Sequence, residues 1–172
     1  MIMVGVGVDP GLARTGYGVI RANGSSVEFR DCGCIETPGS SNVGARLREL
    51  YTRFTQLLQA YRPDYLAIEK LFFCKNVSSA IEVAQARGVV LLAAAIEGVP
   101  VIELGPRQAK QIVTGYGSAD KKQVQKMVAM VLGLNQVPQP DDSADALALA
   151  LAGAVLRQNQ ATFPLQDGSD PD

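Results

Sequence analysis

Residues 2–8 form an unbroken apolar run, Ile2-Met3-Val4-Gly5-Val6-Gly7-Val8, that ends at Asp9-Pro10-Gly11, a strong turn signal. The pattern predicts a buried strand that empties into a loop. Two more strand-like runs, Gly16–Ala22 and Ser26–Glu36, flank the turn residues Asn23 and Gly24, so an antiparallel meander is expected. Cys32 and Cys34, two apart, fall on one face of the third strand.

From Asn42 to Tyr61 the period changes. Val43, Leu47, Leu50, Phe54, Leu57 and Tyr61 recur at intervals of three and four, the stripe of an amphipathic helix, and Pro63 stops it. Tyr65–Glu69 reads as a short strand ending in a carboxylate. A loop to Asn76 follows, then a long Ala-rich helix from Ser78 to Glu97, closed by Gly98, and a fifth strand, Val99–Leu104. A short helix is expected over Arg107–Thr114. After the turn Gly115-Tyr116-Gly117 comes a helix capped by Ser118 and closed by Gly133. Asn135–Pro140 reads as a linker and Asp142–Arg157 as a final helix.

The order βββ-α-β-α-β-α-α-α predicts an α/β fold: a five-stranded mixed sheet, a three-strand meander plus parallel strands, with helices on both faces. Residues 1–157 are expected to form one domain, and the polar, acidic segment 158–172 a disordered tail.

Composition narrows the chemistry. At 172 residues and 47% hydrophobic content the chain suits one compact domain. Its longest apolar stretch, Gly88–Ile96, is under half the ~20 residues of a membrane span, and no basic region precedes the first apolar run. Three cysteines and no histidine make neither a disulfide framework nor a four-ligand zinc site, so reduced thiols and a cytoplasmic location are expected. The missing histidine also excludes the Ser-His-Asp triad and the Cys-His pair. Catalysis is left to carboxylates, lysines, tyrosines or a bound metal. The net charge of −1 suits nucleic acid poorly until its distribution is considered. Without Asp167, Asp170 and Asp172 in the tail, the rest of the chain is net positive.

Asp9 and Glu69 end the first and fourth strands, so if those strands are parallel neighbours both side chains emerge at the edge where open α/β sheets bind ligands. Asp142 and Asp145, three apart, share the helix face continued by Leu149, Ala152 and Leu156, which must face the sheet. Four carboxylates converging with neither a histidine nor a paired arginine repel one another unless a cation is present. Oxygen ligands with room for water suit Mg2+ or Mn2+, and two such ions roughly 4 Å apart hold the attacking water and the leaving oxygen of a phosphodiester. Plainer readings stand beside this one. Asp before Pro-Gly is a common turn former, Asp141 and Asp142 suit a helix N-terminus, and a Glu ending a strand is usually solvated.

Lys70 and Lys75 follow Glu69, and Arg107, Lys110, Lys121, Lys122 and Lys126 stand against a single acid, Asp120. Such a stripe reads as phosphate contact or as a solvated helix face. Between Lys70 and Lys75 lie Leu71, Phe72, Phe73 and Cys74, apolar residues in an expected loop. Phe72 and Phe73 suit stacking on unpaired bases or wedging into a distorted junction; burial in the core or at a subunit interface suits Phe73 equally and Phe72 less. The glycines of DPGLARTGYG also resemble the first phosphate loop of actin-like ATPases, though the chain has no room for their second phosphate loop and adenosine motif. A DNA-binding scaffold without catalysis is a third reading.

The segments GVDPGLARTGYGVI, PDYLAIEKLFFCKN, AQARGVV, VTGYGSADKKQVQKMV and DDSADALALALA, in that order and spacing, resemble the RuvC family of bacterial crossover junction resolvases from Val4 to Leu156. The resemblance implies a ribonuclease H-like fold and a homodimer that nicks two symmetric strands of a four-way DNA junction, in partnership with RuvA and RuvB. It implies metal-binding carboxylates at Asp9, Glu69, Asp142 and Asp145, a junction-probing aromatic at Phe72, and basic active-site positions at Lys110 and Lys121. Asn76 and Arg87 match family positions in DNA contact or in structure. The position of Asp142 is His in some members, and Asp141 adds a spare carboxylate.

Overall fold

The computed structural model describes residues 1–70 and 77–162, the side chains of 77–79 and 160–162 excepted. Five strands, β1 (Ile2–Asp9), β2 (Arg14–Asn23), β3 (Ser26–Glu36), β4 (Tyr65–Glu69) and β5 (Val101–Leu104), form one sheet in the order β3-β2-β1-β4-β5. β1-β2 and β2-β3 are antiparallel, β1-β4 and β4-β5 parallel. This is the expected meander extended by parallel strands.

Helices α1 (Val43–Tyr61) and α2 (Val77–Ile96) cover one face. There Leu50, Phe54, Leu58, Val90 and Ala93 pack on Val6, Val8, Leu66 and Ile68. Helices α3 (Pro106–Thr114), α4 (Lys121–Val131) and α5 (Asp141–Thr162) cover the other, with Leu147, Ala150 and Leu151 in a core shared with Met3, Ile20, Tyr65 and Ala67. The two-residue period of β1 thus sends Val6 and Val8 to the α1/α2 face, while Gly5 and Gly7 lie against the other.

Several boundaries differ from expectation for identifiable reasons. Asn42 is the N-cap of α1, its side chain accepting from the Ala45 N–H at 2.9 Å. α4 is capped by Asp120 rather than Ser118, because Asp120 and Gln123 complete a reciprocal capping box that Ser118 has no partner for. β5 begins at Val101, past Pro100, which has no N–H for the ladder. α5 runs on to Thr162 instead of ending at Arg157, since no glycine or proline interrupts residues 158–162. The rest of the tail, 163–172, lies outside the described residues. No helix of the described residues is long and apolar enough to cross a membrane.

Candidate active site

Strand parity selects the site. The α5 face of β1 carries positions 3, 5, 7 and 9, and that of β4 carries Tyr65, Ala67 and Glu69. Asp9 and Glu69 therefore leave the same face at the same end, and the pairing of Val8 with Ile68 makes them neighbours. The acids of α5 reach them because its backbone lies almost on the sheet. A Cβ on Gly7 would stand 1.9 Å from the Ala146 carbonyl oxygen, and one on Gly16 would stand 2.2 Å from the Asp142 carbonyl oxygen. No other residue type permits that approach, so Gly16 sits beneath α5 and is unavailable to cradle a phosphate as an actin-like loop would.

Asp9, Glu69, Asp145, Lys110 and Lys121 line one pocket of about 250 Å³, with Pro106 and Leu149 among its walls. Asp142 stands beside it, outside the lining. Contrary to the expectation of unpaired acids, two of them have basic partners. Lys121 Nζ lies 2.9 Å from Asp145 Oδ2 and 3.4 Å from Asp141 Oδ2. Arg14 Nη1 lies 3.5 Å from Asp142 Oδ2, and its Nε 3.2 Å from Glu36 Oε1. As placed, no three acidic or thiol side chains among the described residues stand close enough to hold one ion.

The crowding shows in the acidities. Burial, reinforced by the charges of Asp145, Asp142 and Glu69 and only partly opposed by Lys121, raises the Asp9 carboxyl from 3.8 to about 7. Burial likewise raises Glu69, with Asp145 adding and Lys110 opposing, and raises Asp145 against the pull of Lys121. The Lys121 ammonium is itself held up by its hydrogen bond to Asp145. A pocket whose central acid is half-protonated at neutral pH is one that a cation would relieve.

The other expected residues divide. Lys110 and Lys121 line the pocket, while Lys70, Lys122, Arg107 and Lys126 are exposed and do not. Lys70 extends β4 by donating its N–H to the Leu104 carbonyl at 2.8 Å. Arg87, expected at DNA or in structure, is only 12% exposed, ion-paired with Glu103 and donating to the Glu69 carbonyl at 3.4 Å. Its guanidinium is engaged within the protein and braces the strand end that carries Glu69. Phe72, Phe73, Lys75 and Asn76 lie outside the described residues. Sequence reasoning missed Arg14, although parity carries the signal: Arg14 is two residues before Gly16 and so shares its face. Cys32 and Cys34, paired with Gly18 and Gly16, do share one face as expected.

Comparison with known proteins agrees with this architecture. The family model "Crossover junction endodeoxyribonuclease RuvC" matches residues 5–153. A RuvC from Brevibacillus brevis is 49% identical over 152 residues, 88% of this chain and 92% of that one. One from Rubrobacter xylanophilus is 50% identical over 156 residues, covering 91% and 87%. The structure of Thermus thermophilus RuvC in complex with a Holliday junction substrate superposes with a TM-score of 0.86 at 35% identity, covering 91% of this chain and 96% of that one. The fold is accordingly the ribonuclease H-like one.

Proposed function

Because this chain belongs to the RuvC family of crossover junction endodeoxyribonucleases, we propose that it resolves four-way DNA junctions by metal-dependent hydrolytic nicking of two symmetric strands, in recombination and DNA repair. The observation that carries the reading is the pocket where Asp9, Glu69 and Asp145 meet Lys110 and Lys121. Its donors are hard oxygens, and the weakened acidity of Asp9 marks a carboxylate charge that burial and its acidic neighbours leave uncompensated. Asp9, Glu69 and Asp145, with Asp142 beside them, would hold Mg2+ or Mn2+, two ions in the full site. Such ions supply an activated water and stabilise the leaving oxygen.

The chain's own groups do the rest. Lys110 stands by Glu69 and Lys121 by Asp145, where an ammonium meets the charge that gathers on a scissile phosphate. Arg87 holds the end of β4, and so Glu69, in place. Lys70, Lys75, Lys122 and Asn76 are the proposed backbone contacts, and Phe72 and Phe73 the proposed aromatic probe of the junction, which unpaired bases favour. The enzyme acts as a homodimer in the cytoplasm with the branch-migration proteins RuvA and RuvB. Support for the dimer is the outer face of α2, where Ile81, Leu92 and Ile96 are each more than half exposed.

The test is nicking of a synthetic four-way junction against linear duplex of the same sequence, with and without divalent metal. Wild type should cut only the junction and only with metal, while Asp9→Asn should bind the junction and leave it intact. Cleavage by Asp9→Asn at the wild-type rate would overturn the site, and equal cleavage of duplex the substrate. Phe72→Ala should slow junction cutting more than it weakens duplex binding.

A further inference from the structure

Glu36 and Arg14 end and begin paired strands, and their register, Arg14 opposite Glu36, puts both on the α5 face beside Gly16. α5 presses its first turn onto Gly16, which delivers Asp142 to the Arg14 guanidinium. One arginine thus spans two acids: Nε to Glu36 at 3.2 Å and Nη1 to Asp142 at 3.5 Å. Asp145, a turn further along the same helix face, lines the pocket with Asp9, and Asp142 does not. The two acids that strand parity and helix spacing bring together are separated by the company they keep.

We propose that Arg14 is a positioning residue that holds Asp142 away from the pocket and thereby sets the affinity of the site for a divalent cation, with Glu36 setting how firmly Arg14 holds. The proposal rests on the metal-binding reading of the pocket. Its physical content is competition. A guanidinium paired with Asp142 opposes a cation both by repelling it and by keeping one carboxylate engaged. Glu36 takes a share of Arg14. Removing it concentrates the guanidinium on Asp142, so the two ends of the bridge act on ion binding with opposite sign. Among the described residues Lys121 has no such second anchor on the sheet: its partners, Asp141 and Asp145, both belong to α5.

The experiment measures Mn2+ binding to the whole protein without DNA, from the free-ion electron paramagnetic resonance signal. Arg14→Gln should bind about threefold to tenfold more tightly than wild type, the size expected when one partly screened carboxylate, Asp142, is freed to act on a divalent ion. Glu36→Gln should bind more weakly. In an Asp142→Asn background the gain from Arg14→Gln should fall below about twofold, because Arg14 acts through Asp142 and not through its field alone. An undiminished gain in that background, or unchanged affinity in Arg14→Gln, would overturn the proposal while leaving the metal site standing. Failure of wild type to bind Mn2+ at all, with Asp9→Asn indistinguishable from it, would overturn both.

Discussion

The acidity of Asp9 makes a stability prediction whose sign is opposite to that of most catalytic losses. Asp9 titrates near 7 in the folded protein and near 3.8 as an ordinary carboxyl. Below pH 4 it is protonated folded or unfolded and costs nothing. Between 4 and 7 the unfolded chain ionises first, so stability drains away as pH rises, and above 7 the whole cost is in place. At about 1.4 kcal/mol for each tenfold change in acidity the ceiling is about 4 kcal/mol. The pocket is open to solvent and Lys121 is near, which reduces the working figure to about 2 kcal/mol. Asp9→Asn keeps the shape and deletes the charge. With EDTA present at pH 8 it should unfold about 5 °C above wild type, and near pH 4 the two should coincide. Adding Mn2+ at pH 8 should raise wild type and leave the variant almost unmoved. A variant that melts at or below wild type at pH 8 in EDTA would show that the Asp9 carboxylate is not under strain, and the electrostatic account of the pocket would fall with it.

Two other consequences are as direct. Gly16→Ala places a methyl 2.2 Å from the Asp142 carbonyl oxygen; the first turn of α5 must lift by about 1 Å, costing roughly 1–3 kcal/mol in a thermal melt and on the order of a hundredfold in junction cleavage, and a variant that cuts and melts like wild type would refute the close-approach argument. Leu92→Asp puts a charge amid the exposed apolar residues of α2; sedimentation should find monomer where wild type is dimer, and an unchanged sedimentation coefficient would move the interface elsewhere.

The legible part of this molecule was whatever depends on period and punctuation. Alternating Val and Gly in β1 are visible in the sequence, and the register of β1 with β4 turns that alternation into a wall of valines on one face and a bed of glycines on the other. Asp9 and Glu69 are the last members of two such series, so their meeting follows from parity once the strands are parallel neighbours. Competition between adjacent signals was not legible. Ser118 and Asp120 are both good caps, and only the reach of Gln123 back to the Asp120 N–H decides between them. Partnership between side chains on different elements was hidden too. Arg14 meets Asp142 because the first turn of α5 rests on β2, and Lys121 meets Asp145 because α4 begins beside α5. For Arg87 the family position left DNA contact and structure open, and its pairing with the Glu103 carboxylate on β5 could not be read from the sequence.

The same edge supplies positive charge where the acids crowd. Helices α3 and α4 begin at the pocket, with Pro106 and Lys121 as their first residues, and α5 begins beside it. Their N-terminal N–H groups supply partial positive charge where Asp9, Glu69, Asp142 and Asp145 supply negative. Lys121 and Arg14 add two full charges, one from each flank, and both contact acids of α5 rather than Asp9. Asp9 and Glu69 make no ion pair among the described residues, and Asp9 is the acid whose pKa is raised furthest among the carboxylates. A cation would therefore gain most at Asp9, whereas at Asp142 and Asp145 it would replace a positive partner already present.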